Sequence, residues 1–289
     1  MNYLLHLLIL VEIYLMLALS LNLMVGYTGL LTLAHAAFYG IGAYATTLVM
    51  IHGGFGFVPA LLFAACIAVV LSLLISIAAW RFRGDYFVLA TLAFQVIVFS
   101  ILNNWIDVTQ GSFGIPDIPR PIILGMRVDS LTSLATLGFI LAISITAFLA
   151  LAYRSPFGRT LQAIRDDEIA ATSLGKDLMS FKIRSVALAS GCAAVAGAFY
   201  ATYVTFIDPT SFTTEASVLL LSMVVIGGTG NLRGPIVGAT FLVLIPELLR
   251  FFAVPDSFAA NLRMIIYGLL LIVIMRFRPQ GIAGTYRFD

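Results

Sequence analysis

Sixty-eight consecutive residues, 13–80, contain no Asp, Glu, Lys or Arg. A helix crosses the hydrocarbon of a bilayer with about 20 apolar residues, so this interval holds more than one crossing. Its interior breaks are rich in glycine: Gly26 and Gly29, then Gly53, Gly54 and Gly56 ahead of Pro59. A soluble chain could not be built around such a stretch without charge elsewhere to cover it. Only 10% of the 289 residues are charged and 61% are hydrophobic, against roughly 25% and 45–50% in soluble domains. This excludes a water-soluble globular protein, a disordered chain and a nucleic-acid binder. The net charge of +2 is too small for polyanion binding, so the placement of charges matters more than their sum.

The long interval divides into spans at 3–25, 30–51 and 57–80. Further uncharged stretches are 86–106, 130–153, 185–207 and 216–232, and two weaker apolar spans that do hold charges follow near 235–252 and 258–275. Lipid offers no partner to a backbone polar group, so these segments are helical or buried in protein. Continuous apolar runs, rather than ten-residue alternations, exclude a β-barrel. The expected fold is all-α: a polytopic transmembrane helical bundle of about eight spans, one permease-like domain over residues 1–289.

Orientation follows from the loops. One set holds twelve of the sixteen basic residues: Arg81, Arg83, Arg154, Arg159, Arg165, Lys176, Lys182, Arg184, Arg233, Arg276, Arg278 and Arg287. The other holds Arg120, Arg127, Arg250 and Arg263. The majority side is the cytoplasm, which puts the N-terminus outside and the C-terminus inside. Loop 154–184 is then cytoplasmic and loop 107–129 external. Cys66 and Cys192 both fall inside spans and read as small apolar residues, not as a disulfide or a metal site.

No catalytic constellation is present. The sequence lacks a G-x-x-x-x-G-K-[ST] phosphate loop, an H-E-x-x-H pair and a G-x-S-x-G elbow. The expectation is a non-enzyme with no metal and no cofactor of its own. Ion-coupled carriers hold ionisable groups at mid-membrane, and here Glu12 is the clear intramembrane candidate. It supports an alternative reading, an ion-coupled secondary transporter of small solutes.

The most informative stretch is 154–184. Pro156 suits the first turn of a helix. Phe157, Leu161, Ile164, Ala171 and Leu174 follow helical spacing and form one apolar stripe. Gly175 is a natural stop. The spacing predicts a short amphipathic helix between two spans. Glu168 falls on the apolar stripe and needs a partner, for which another chain is one source.

At this loop the chain resembles the ATPase-docking coupling segment of ATP-binding-cassette importer permeases. Ala170, Ala171 and Gly175 match the A-A-x-x-x-G part of their E-A-A loop, although Ile169 stands where the Glu belongs and Glu168 comes one position early. The closer likeness is to the branched-chain amino acid permeases, LivM-type. It rests on G-Y-T-G-L-L-T-L-A-H-A-A-F-Y-G-I-G-A-Y-A (26–45), G-D-Y-F-V-L-A-T-L-A-F (84–94) and F-G-R-T-L-Q-A-I-R-D-D-E-I-A-A (157–171). D-P-T-S-F (208–212) and M-V-V-I-G-G-T-G-N-L-R-G-P-I-V-G-A (223–239) continue it in order.

The resemblance implies a multi-pass subunit of the bacterial inner membrane, driven by separate ATPase subunits and translocating branched-chain or related amino acids. The implied partners are a LivH-type permease, two cytoplasmic ATPases carrying ATP and Mg, a periplasmic substrate-binding protein and membrane lipid, with no nucleic acid. Related systems carry urea, amides or aromatic acids, so the substrate stays open within that set. The implied coupling residues are Phe157, Gly158, Arg159, Ile164, Arg165, Asp166, Asp167, Glu168, Ala170, Ala171 and Gly175.

Three residue groups complete the reading. Gly26, Gly29, Gly227, Gly228 and Gly230 form two similar turns, V-G-Y-T-G and I-G-G-T-G, suited to hinges or close packing. Ser190, Ala194, Gly197, Ala198 and Ala201 put small residues on one helical face, as close helix packing needs. Asn22, His35, Thr91, Gln95, Asn103 and Ser222 are uncharged polar residues within spans, candidates for a solute pathway. The external loop, stiffened by Pro116, Pro119 and Pro121, is long enough to dock a binding protein.

Overall fold

The computed structural model describes residues 2–82, 84–123, 125–251, 256–278 and 280–284. Its helices run in the order α1 (Asn2–Asn22), α2 (His35–Gly53), α3 (Phe57–Arg81), α4 (Asp85–Asn104), α5 (Ile106–Thr109), α6 (Leu131–Arg154), α7 (Pro156–Asp166), α8 (Glu168–Ser173), α9 (Leu178–Val204), α10 (Thr214–Gly227), α11 (Arg233–Phe251) and α12 (Asp256–Phe277). All but α5, α7 and α8 have fourteen or more residues and occupy the nine apolar intervals. A two-residue hairpin pairs Ile122–Ile123 with Met126–Arg127. The fold is thus an all-α polytopic bundle. Among the described residues, five helices are long and apolar enough to cross a membrane. The expected count of about eight crossings falls between those five and the nine long helices. The readings at Arg83, Phe252 and Arg287 lie outside the described residues.

Helix α9 is the axis of the bundle. Inside the protein it buries 72% of its span window, whereas α3, α4 and α6 bury 28–33%. The small-residue face explains the difference: Ser190, Ala194, Gly197, Ala198 and Ala201 are all buried. At Gly197 an added Cβ would meet the backbone of Tyr39 and stand 2.8 Å from Ala43 N, so α2 and α9 touch backbone to backbone. Without water to expel, such close van der Waals contact is what holds membrane helices together. The peripheral helices turn large apolar side chains outward, among them Leu62, Phe63 and Leu74 on α3 and Ile140 and Ile143 on α6. That surface suits lipid.

Helix α2 is different in composition. It carries His35, Tyr39, Tyr44, Thr46 and Thr47, all buried. Protein neighbours on every side allow a polar helix where lipid would not.

The bundle has two distinct ends. At one, Asn22 Nδ2 donates to Asn231 O at 2.9 Å, and the turns after α1 and α3 meet α7 and α9. This is the end that carries Arg81, Arg165, Lys182 and Arg233. At the other, Ile115 bridges Ile207 and Arg120 donates to Tyr203 O at 3.1 Å, which fastens the 107–129 loop to the end of α9. His6 Nδ1 lies 2.6 Å from Tyr203 Oη at this same end. Residues 282 and 283 instead donate to Ile226 O and Gly227 O, at 2.9 and 2.8 Å. Helix α1 therefore starts at one end, and residues 282–283 lie at the opposite, basic end.

Candidate functional site

The coupling stretch folds as two helices, not one. Asp167 leaves helical geometry (φ −157°, ψ 107°) and its side chain accepts hydrogen bonds from Ile169 N and Ala170 N, at 2.8 and 3.0 Å. An N-cap bond of this kind satisfies donors that a helix start leaves open, so Asp167 ends α7 and starts α8. The predicted single stripe divides with it. Leu161, Ile164 and Ala171 are buried, but Leu174 is 77% exposed, as is Ile169. Gly175 adopts φ +74° and its N–H bonds Thr172 O at 2.8 Å, a helix stop of the expected kind.

Helix α7 lies tight against the end of α6. At Gly158 an added Cβ would meet Tyr153 O and stand 2.7 Å from Ala152 O, so no larger residue fits. Phe157 stacks on Phe181 of α9, with ring centroids 5.7 Å apart. Glu168 finds its partner within the chain: it pairs with Lys182 of α9, which is almost fully buried. Arg159, Asp166, Asp167, Ala170 and Gly175 are exposed.

Arg165 links this segment to the membrane helices. It pairs with Asp166 at 2.9 Å, and its guanidinium also donates to Gly26 O. Gly26 sits in a π-turn, Leu23–Tyr27, that ends α1; such turns disturb the helix ladder and recur at functional sites. Gly29 follows with φ +73°, and a Cβ there would stand 2.9 Å from Arg165 Cγ. A cavity of about 150 Å³ adjoins this contact, between Thr28, Asp85, Glu168 and Lys182.

From Gly26 the chain does not turn back at the surface. Residues 29–34 lack regular structure; Gly29 and Leu31 are exposed, the others turn inward, and α2 starts at His35. Backbone buried this way needs partners, and side chains from distant helices supply them. Thr28 Oγ1 donates to Leu23 O at 2.9 Å and pairs with Ser185 Oγ at 2.6 Å. Leu33 N donates to Thr91 Oγ1 at 3.0 Å. His35 Nε2 lies 2.8 Å from Ser20 Oγ. Ala36 N donates to Ser217 Oγ at 3.0 Å, and Ser217 donates onward to Gln95 Oε1 at 3.3 Å. Gln95 Nε2 completes the chain by donating to Phe212 O at 2.8 Å.

Four of the six polar pathway candidates, Asn22, His35, Thr91 and Gln95, are thus fully buried. Asn103 lies apart, half-buried near the end of α4. Ser222 bonds back to Val218 O on its own helix at 2.8 Å. The sequence reading did not pick out Ser20, Ser185 and Ser217, whose partners lie 15, 157 and 122 to 181 residues away. No local spacing signals such pairs.

The two glycine turns meet. A Cβ at Gly26 would stand 2.8 Å from Gly230 N. Glu12 is separate from all of this. Its carboxyl lies against Gly138 of α6, and among the described residues neither oxygen has a hydrogen-bond partner.

Comparison with known proteins places this architecture. Residues 3–275 match the family described as branched-chain amino acid transport system / permease component. The chain is 32% identical over 298 residues to the high-affinity branched-chain amino acid transport system permease protein LivM of Escherichia coli strain K12, covering 95% of this chain and 68% of that one. A probable branched-chain amino acid transport permease protein LivM of Methanocaldococcus jannaschii is 24% identical, over 93% of this chain and 90% of the relative. The autoinducer 2 import system permease protein LsrC of Salmonella paratyphi B is more distant, 27% identical over 58% of this chain and 48% of its own. No solved structure matches the chain.

Proposed function

Because this chain belongs to the permease family of branched-chain amino acid transport systems, we propose that it is a membrane subunit of an importer driven by ATPases on other chains. In this reading the basic end faces the cytoplasm of a bacterial inner membrane. The α7–α8 segment receives the ATPases, a second permease completes the channel, and a periplasmic protein delivers a branched-chain amino acid to the other end.

One observation carries the reading: the Arg165 bond to Gly26 O. It joins a surface segment suited to docking to the π-turn that ends α1. The outward side of that segment combines Ile169 and Leu174, each 77% exposed, with Arg159 and Asp166. Apolar anchors with a polar rim are the composition of a docking surface. A push on α7 moves Gly26. Residues 28–34 then carry the displacement to His35, Thr91 of α4 and Ser217 of α10, so one input reaches three helices. Nucleotide chemistry and Mg belong to the ATPases.

The test is uptake of labelled leucine into ATP-loaded proteoliposomes containing the assembled subunits and the binding protein. Uptake should require ATP, the binding protein and both permeases. Accumulation by this chain alone under a proton or sodium gradient would overturn the reading in favour of a secondary transporter, with Glu12 as its ionisable group.

A further inference from the structure

At the depth of the bilayer centre, this protein presents two kinds of surface. Gln95 is the eleventh of the twenty residues of α4, so it marks the middle of a span. Beside it, α4 exposes Val96 and Ile97, 51% and 57% accessible, as a lipid-facing helix should. Through its bonds to Phe212 O and Ser217 Oγ, Gln95 also fixes residues 212–217 at that same depth. There the exposed side chain is Glu215, flanked by half-exposed Thr213 and Thr214. Among the described residues no hydrogen bond or ion pair holds its carboxylate. An ionised side chain there carries a heavy desolvation penalty, and intramembrane charges accordingly face a bundle interior or a water-filled cavity. The face of α10 that bears Glu215 is therefore not a lipid face.

We infer that this face lines the translocation path and that the Glu215 carboxylate holds the α-ammonium group of the amino acid in transit. The assignment rests on the importer reading above. An amino acid crossing the membrane brings a cation that must shed water. A carboxylate at mid-depth replaces part of that hydration while the apolar side chain of the substrate stays against apolar walls. A fixed carboxylate also disfavours solutes that have the substrate carboxylate but no ammonium group.

The experiment uses the assembled transporter in proteoliposomes with its binding protein. Glu215→Gln should lower leucine uptake at least tenfold while ATP hydrolysis stimulated by the binding protein stays within twofold. Glu215→Asp should recover much of the loss. In a background with Cys66→Ser and Cys192→Ala, Glu215→Cys should react with a cationic, water-soluble thiosulfonate, whereas Ile97→Cys, at the same depth on the lipid face, should not. Equal uptake by wild type and Glu215→Gln, or an unreactive Cys at 215, overturns the inference. A Glu215→Gln variant that loses thermal stability, uptake and hydrolysis together also overturns it, in favour of a structural ion pair. Absence of leucine uptake by the wild-type complex would instead refute the importer reading.

Discussion

The turns V-G-Y-T-G and I-G-G-T-G look alike in sequence and touch in space, yet they are held by different things. The first, around Gly26, is gripped by Arg165 from α7. The second, around Gly228, is gripped by the chain's own closing segment. Gly228 takes φ +104° and an added Cβ would meet Gly284 N, while Ile282 and Ala283 bond to Ile226 O and Gly227 O. The first turn is tied chiefly through side chains: Arg165 from the docking segment, Ser185 on Thr28 and Tyr153 stacked on Tyr27. The other is tied by backbone on both sides. A side-chain tether can transmit a displacement; a backbone clasp resists one. The similarity of the two motifs therefore reflects shared turn chemistry, with opposite mechanical roles.

Four substitutions test that contrast. The largest effect is expected at the clasp. Gly228→Ala combines a left-handed backbone with a backbone clash and should cost about 3 kcal/mol of stability, read as a lowered unfolding temperature in detergent. Wild-type stability would show that the clasp is not tight. Next comes the tether. Arg165→Ala removes a charged hydrogen bond worth roughly 2 kcal/mol and should cut leucine uptake per ATP hydrolysed about tenfold in the assembled complex, with a smaller fall in unfolding temperature than Gly228→Ala. An unchanged ratio would sever α7 from the α1 break.

Gly29→Ala should be milder, about 1 kcal/mol for the strained backbone, because the nearest obstacle is the movable side chain of Arg165. Its signature is weaker coupling rather than unfolding, and a loss of folded protein matching Gly228→Ala would erase the distinction between the turns. The smallest effect belongs to Glu168→Gln. Lys182 is almost fully buried, but glutamine still offers its ammonium an oxygen to donate to, so the cost stays under about 1 kcal/mol. A larger loss of coupling than Arg165→Ala would move the principal link from Arg165 to Lys182.

Much of the fold is legible from residue order. Continuous apolar runs place every long helix, and Gly175 and Pro156 mark real helix boundaries. The coupling stretch was only half legible. Helical spacing carried the apolar stripe through Asp167, because hydrophobic periodicity does not register a side chain that turns back to cap the next helix. Glu168 looked unpartnered for the related reason that Lys182 belongs to another helix. Glu215 escaped notice because it stands one residue before an uncharged interval, where a carboxylate reads as loop.

Sequence by itself determined that this chain lives in a membrane, which segments form its long apolar helices, and which end collects the basic residues. Those properties follow from the transfer of side chains into hydrocarbon, which depends on composition over about 20 residues. Only the tertiary structure decided how the sparse polar groups are used. Asn22, His35, Thr91 and Gln95 tie distant segments together from buried positions, Glu12 is sealed between helices, and Glu215 stands exposed at the same depth as lipid-facing Ile97. The physical reason is range: a buried hydrogen bond depends on which helices lie side by side, and those partners are as many as 209 residues apart.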